Sequence, residues 1–216
     1  MLLSSLLRTN KAATTRFLCI GDPGQKIYGY YAMDPADERF LLRAGSLFSE
    51  FSDAPFRKCT LETSYRSTTN ISNFVNYITR EEKTRTTMCP GNTKVPNEPV
   101  EFIVANASNK KIIERVRALI VKHGPSNVML VAHSTKYKAM RNTVNALTKE
   151  FAFYIPSRGT TVDRLTLKNK ILVQSFCGCK GLERACVIVF SVSFANHLFG
   201  ADLNQVYVAL TRSSGG

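Results

Sequence analysis

The chain has 216 residues, 44% apolar and 21% charged, enough for one large or two small α/β domains with a hydrophobic core. That apolar content excludes disorder by composition, and no uninterrupted apolar run approaches the ~18 residues of a membrane span. Twenty-nine Lys and Arg against 16 Asp and Glu leave a formal charge of +13, a field that attracts polyanions, nucleic acid first among them.

The excess is uneven: +2 over residues 1–70, +7 over 71–150 and +4 over 151–216. A basic protein with no nucleic-acid role is the other reading of charge alone. Leu2, Leu3, Leu6 and Leu7 mark one face of a short helix. The first 21 residues carry Arg8, Lys11 and Arg16 and no acid before the turn, a composition shared with organelle transit peptides. The same segment also reads as a helix leading into a strand. Phe17-Leu18-Cys19-Ile20 is that strand, expected buried, ended by Gly21-Asp22-Pro23-Gly24.

Helical spacing of apolar residues predicts helices over 37–51, 67–79 and 110–122, the second capped by Ser67 with Ile71, Phe74, Val75 and Ile78 inward. Residues 81–99 are polar and proline-containing, and predict a loop. Val100 to Ala105 alternates like a strand. Val128-Met129-Leu130-Val131, Ile171-Leu172-Val173 and Val187-Ile188-Val189-Phe190 are short apolar runs of the kind buried on both faces of a parallel sheet. A helix is expected from the 130s to about Leu147, and another at Val206–Leu210. Strands alternating with helices predict an α/β fold, a mostly parallel sheet with helices on both faces.

The six cysteines (19, 59, 89, 177, 179, 186) contain no C-x-x-C pair, and His123, His133 and His197 are scattered. A Cys177/Cys179/Cys186 metal cluster lacks the usual zinc spacing, so free thiols in a reducing compartment are expected. Four segments carry chemistry. The turn Gly21-Asp22-Pro23-Gly24-Gln25 precedes Ile27-Tyr28-Gly29-Tyr30. A Gln on such a turn can sense a ligand, and the tyrosines can stack on bases. Leu61-Glu62-Thr63-Ser64-Tyr65-Arg66-Ser67 sets a ring beside a guanidinium fork suited to phosphate. Ser175-Phe176-Cys177-Gly178-Cys179-Lys180-Gly181-Leu182-Glu183 is a small-residue loop with a carboxylate suited to a ribose. Tyr207-Val208-Ala209-Leu210-Thr211-Arg212 delivers an Arg at the end of an apolar helix. Taken singly, these are also an aromatic-packed turn, a surface Arg, a tight loop and a cation favourable at a helix C-terminus.

In this order the four segments resemble motifs III, IV, V and VI of the UvrD/Rep-type branch of superfamily 1 helicases. The matching patterns are GDxxQ-I-Y-G-aromatic, NYRS, KGLE and YVALTR, and they span Gly21 to Arg212. The resemblance implies an ATP-driven motor of two RecA-like domains moving 3′ to 5′ on single-stranded DNA. It assigns residues 1–58 to the end of the first RecA-like domain and 59–216 to the second. By that resemblance Gln25 contacts the γ-phosphate and couples hydrolysis to movement, and Arg66 and Arg212 act as arginine fingers. Tyr65 stacks on adenine, and Glu183 holds the ribose, with Gly181 in the supporting loop. Tyr28, Tyr30, Cys177 and Lys180 meet the nucleic acid. An intracellular site, nucleus or cytoplasm before an organelle, is expected.

The chain departs from the pattern by absence. It contains no G-x-x-x-x-G-K-[ST] loop and no Gly-Lys-Ser/Thr triplet. The only Asp-Glu dipeptide, Asp37-Glu38, follows motif III instead of preceding it. The phosphate cradle and the Mg²⁺ ligands are therefore expected on missing upstream sequence of the first RecA-like domain, with the chain a C-terminal part truncated at both ends and inactive alone. Ser64, Tyr31 and Cys177 stand where the family often has Asn, Arg and His, and the stretch from Leu147 to Ile171 is too short for a large accessory insertion. The competing readings are a helicase-derived module that binds single strands without hydrolysing ATP, and a gene fragment with no activity.

Overall fold

The computed structural model describes residues 18, 20–25, 27, 45–46, 56–80, 86–104, 110–157, 163, 165–190 and 203–214. The chain divides into two compact units, Met1–Leu61 and Glu62–Gly216; the boundary inferred from sequence lay at 58/59. In the first unit, Pro23–Gln25 forms one 3₁₀ turn. The predicted helices near Leu2–Leu7 and over 37–51 lie wholly or mostly outside the described residues. Leu18 and Ile20 are 79% and 76% exposed and carry no strand assignment, which corrects the expected buried strand. Apolar character alone does not make a strand: it needs a neighbour to complete its hydrogen-bond ladder, and none is described in this unit.

The second unit runs β1 (Thr63–Ser64), α1 (Thr69–Ile78), β2 (Cys89–Pro90), α2 (Lys110–His123), a 3₁₀ turn at Pro125–Asn127, β3 (Val128–Ala132), α3 (Lys138–Leu147), β4 (Ala152–Tyr154), β5 (Lys170–Ser175), β6 (Cys186–Val189) and α4 (Leu203–Leu210). Four strands form one sheet in the order β4-β5-β3-β6, every pair parallel. Leu130 lies beside Val173 of β5 and Ile188 of β6. All five residues of β3 are buried, as an unbroken apolar run in a sheet covered on both faces requires.

Alternation along the strands sorts the core. Val128, Leu130 and Ala132, with Ile171 and Val173, pack against Val116 and Ile120 of α2 and Ala139, Met140 and Leu147 of α3. Met129, Val131 and Leu172 are equally buried but lie outside that cluster, and so face the other side. There α4 packs on β6 and on α1, burying Val206, Val208 and Ala209. The second unit is thus an α/β layer structure with helices flanking a parallel sheet.

Two expectations about its start are corrected. Ser67 does not cap α1. The cap position is Thr68, whose side chain makes no capping bond, while Ser67 Oγ lies 3.2 Å from Ser64 Oγ. The 81–99 stretch is not wholly loop, because Cys89–Pro90 pairs in parallel with Thr63–Ser64. Asn76 of α1 holds it by giving its amide N–H to the Met88 carbonyl and accepting the Met88 N–H, both at 2.9 Å. An Asn amide carries the same donor and acceptor pair as a peptide, so it replaces a strand neighbour. Residues 101–104 form no strand either, with Phe102 and Val104 53% and 87% exposed.

Candidate functional site

Arg66 follows β1 and Arg212 follows α4, and the fold brings them to one place. Arg66 Nε donates to Glu183 Oε2 at 2.8 Å and its Nη1 to the Thr211 carbonyl at 3.1 Å. Arg212 Nε donates to the Val208 carbonyl at 2.9 Å and its Nη2 to Thr211 Oγ1 at 3.0 Å. The two guanidiniums therefore bracket Thr211. Arg66 and Glu183 are half exposed (side chains 37% and 48%), whereas Arg212 is buried at 3%.

The backbone explains the convergence. The Arg184 N–H donates to the Arg212 carbonyl at 3.1 Å, and the Ser214 N–H donates to the Arg184 carbonyl at 3.0 Å. This parallel bridge pins the end of α4 against the segment that leads into β6. Asn92 closes the third side: its Nδ2 donates to the Arg66 carbonyl at 2.8 Å and to the Ser214 carbonyl at 3.3 Å. Thr211 lay inside a segment singled out from sequence but without a role, and Asn92 had no signal at all in a loop of unremarkable composition.

The electrostatics are unbalanced. Arg212 has no carboxylate partner among the described residues. Burial first, and then the neighbouring Arg66 charge, lower its pKa from the ordinary arginine value. Glu183 is the one carboxylate at the cluster with a bond to either guanidinium among the described residues, and it bonds to Arg66. A buried charge short of a counter-ion is costly, and an anion placed beside it relieves that cost. Arg66 Nη2 and Arg212 Nη1 each remain without a protein hydrogen-bond partner among the described residues.

Tyr65, next to Arg66, is 81% exposed, so its ring is open to a flat partner. Gly181 has φ +83°, a left-handed conformation that a side chain would strain, although nothing lies within 4 Å of where a Cβ would stand. Gly178 is different, because a Cβ there collides with the Gln174 side-chain oxygen. The loop from Phe176 to Ala185 carries the chain from the end of β5 to the start of β6, parallel strands two places apart in the sheet. Cys177 and Lys180 thus lie early in the loop, and Gly181 and Glu183 lie nearer the Arg66–Arg212 end. In the first unit, Gln25 Nε2 donates to Asp22 Oδ2 at 3.0 Å and Gly24 N–H to Asp22 Oδ1 at 2.8 Å, so Asp22 sets the Gln25 side chain. Tyr28 and Tyr30 lie outside the described residues.

The five described cysteines are free thiols, and among the described residues no group of three or more His, Cys, Asp or Glu could hold a metal ion. Burial pushes the Cys179 thiol up to about 12 and Cys186 up to about 11. Iodoacetamide at pH 8 is expected to label the exposed Cys59 and Cys89 while sparing Cys179 and Cys186 until denaturant is added. Peptide mass spectrometry reads this, and native labelling of Cys179 at the rate of Cys89 would contradict the packing.

The chain matches no family model, and no curated protein and no solved structure matches it significantly. Among the described residues no helix is long and apolar enough to cross a membrane.

Proposed function

We propose that the chain is the C-terminal motor portion of an ATP-dependent 3′–5′ DNA helicase of the UvrD/Rep type, its second unit a RecA-like domain. Its role is to supply arginine fingers to an ATP site and contacts to single-stranded DNA. The parallel sheet with helices on both faces is compatible with that fold. The observation that carries the proposal is the Arg66–Thr211–Arg212 cluster, where two guanidiniums converge beside a single carboxylate, Glu183, which bonds Arg66 and leaves the buried Arg212 with no ion pair of its own. A terminal phosphoryl group supplies the missing negative charge, and its charge grows in the transition state of transfer. Tyr65 offers the base a stacking surface, and Glu183 passes from Arg66 to the ribose as Arg66 turns to phosphate. The β- and γ-phosphate cradle and the Mg²⁺ ligands belong to a partner RecA-like domain, since this sequence holds no phosphate-binding loop.

The test is complementation. Purified alone, the chain is expected to show no ATP hydrolysis. Joined to a RecA-like domain that bears a G-x-x-x-x-G-K-[ST] loop and an acidic strand, it is expected to give ATPase activity stimulated by single-stranded DNA. Binding of single strands without hydrolysis in the joined protein would favour the non-hydrolysing module instead.

A further inference from the structure

Asn92 sits half-buried just past β2, in a loop whose two ends are tied to one helix. At the near end the Asn76 amide exchanges both of its hydrogen bonds with Met88. At the far end the Asn70 N–H donates to Asn97 Oδ1 at 2.8 Å, and the Asn70 amide donates to the Asn97 and Glu98 carbonyls, each at 3.0 Å. Both asparagines belong to α1, the helix that begins just after Arg66. Between these anchors the Gly91 N–H donates to the Ser64 carbonyl at 2.9 Å. The backbone lies so close to β1 there that a Cβ on residue 91 would stand 2.6 Å from the Thr63 methyl and 3.1 Å from a Tyr65 ring carbon. A loop pinned along its length in this way holds the side chain it carries to a small fraction of an ångström.

The Asn92 amide is fully used. Its Nδ2 donates to the Arg66 and Ser214 carbonyls, and its Oδ1 accepts the Lys94 N–H at 3.2 Å. Only an NH₂ group meets two carbonyls at once, so the partners fix which way the amide faces. One planar group thus joins the backbone of Arg66 to a residue just past Arg212, 122 positions away from Asn92. The tie continues to Arg212 itself, because the Ser214 N–H bonds the Arg184 carbonyl and the Arg184 N–H bonds the Arg212 carbonyl. The Arg66 side chain also crosses to that side, through Glu183 and the Thr211 carbonyl. Those are the bonds it gives up when it turns to a phosphate. The Asn92 bonds involve backbone carbonyls and survive that turn.

We infer that Asn92 is a positioning residue for the arginine pair. It holds the backbones of Arg66 and Arg212 at a fixed separation while the Arg66 side chain changes partners, so that both guanidiniums address one phosphoryl group. It acts through Arg66 on one side and through the Ser214–Arg184 bridge on the other, and is not itself a nucleotide contact. The inference rests on the nucleotide role proposed for the cluster, but the clasp itself is measurable without any nucleotide.

The experiment has two arms. In the full chain, hydrogen–deuterium exchange read by mass spectrometry is expected to quicken about tenfold in Asn92→Ala for peptides covering 183–185 and 211–214, with 128–132 unchanged. In the protein joined to a phosphate-binding RecA-like domain, Asn92→Ala is expected to lower turnover about tenfold at nearly constant KM, since a small misplacement at a reacting centre costs up to about 10²-fold. Asn92→Ser keeps one donor and is expected to fall between; it carries both arms if the alanine variant does not melt cooperatively. Added to Arg66→Ala, Asn92→Ala is expected to cost less than about threefold more, because a residue that acts through Arg66 has little left to place. Unchanged exchange at 211–214 would overturn the clasp whatever the ATPase result, and so would exchange that quickens equally at 128–132. The full tenfold loss on the Arg66→Ala background, or a raised KM with unchanged turnover, would overturn the positioning role. Normal turnover in Arg66→Ala alone would remove the nucleotide reading and the positioning role with it, while the exchange arm still decides whether Asn92 joins the two sides.

Discussion

Replacing Arg66 by alanine, in a protein that joins this chain to a phosphate-binding RecA-like domain, is expected to lower DNA-stimulated ATP turnover by about 10³-fold, the low end of what an arginine finger contributes. ATP affinity should change far less, because in the proposed role the charge that Arg66 meets grows as the reaction proceeds. Arg212→Ala is expected to act on turnover to a similar degree. The two losses should not add. Both side chains bond Thr211, Arg66 at its carbonyl and Arg212 at its hydroxyl, and groups that act on one reacting centre couple, so the second removal takes away less than the first. Folding should survive the first change: the Arg66–Glu183 pair is half exposed, and such pairs are worth about 0–1 kcal/mol. Arg212→Ala still leaves the Val208 carbonyl a donor, because Thr211 Oγ1 reaches it at 3.1 Å. A raised KM with unchanged turnover in both variants would reduce the pair to nucleotide binding. No effect on either would remove the cluster from the nucleotide altogether.

What could be read from the sequence follows from how local each signal is. Val128–Ala132 was legible because a central parallel strand must be apolar on both faces, and α2 because its apolar residues recur at helical spacing. The 100–105 stretch had the alternation of a strand, yet its described part lies exposed, since alternation reports an amphipathic segment and not the neighbour that must complete its ladder. Cys89–Pro90 went unseen for the opposite reason, as two residues carry no period, and Asn76 stands in for part of the pairing. At the cluster, Arg66, Glu183 and Arg212 were nameable from their motifs. Their contacts were not. The Arg66–Glu183 bond, the bracketing of Thr211 and the Asn92 clasp join residues more than a hundred positions apart or carry no local pattern. The excess charge of residues 71–150 reads in the sequence as one undivided block. The structure divides it, pairing Arg115, Arg117 and Lys122 with Glu101, Glu150 and Glu98.

Leu130→Ala is expected to destabilise the second unit by about 3 kcal/mol, within the range of roughly 2–5 kcal/mol for emptying a fully buried leucine site. Leu130 is wholly buried at the centre of β3, between Val173 and Ile188, and shares a core with Ile120 of α2 and Met140 of α3. Few side chains there can shift to fill the space, because β5 and β6 hold β3 on both sides. Leu165→Ala is the contrast: at 82% exposure the same deletion is expected to cost less than about 0.5 kcal/mol. Urea unfolding followed by circular dichroism gives both values from the midpoints if the slope is unchanged. A Leu130 cost below about 1 kcal/mol would show that β3 is not the centre of the sheet. The functional consequence follows from the topology. β6, the neighbour of β3, begins just after Glu183. In the joined protein, DNA-stimulated turnover in Leu130→Ala should therefore fail at the lowered melting temperature and be near normal below it, whereas Arg66→Ala lowers it at every temperature.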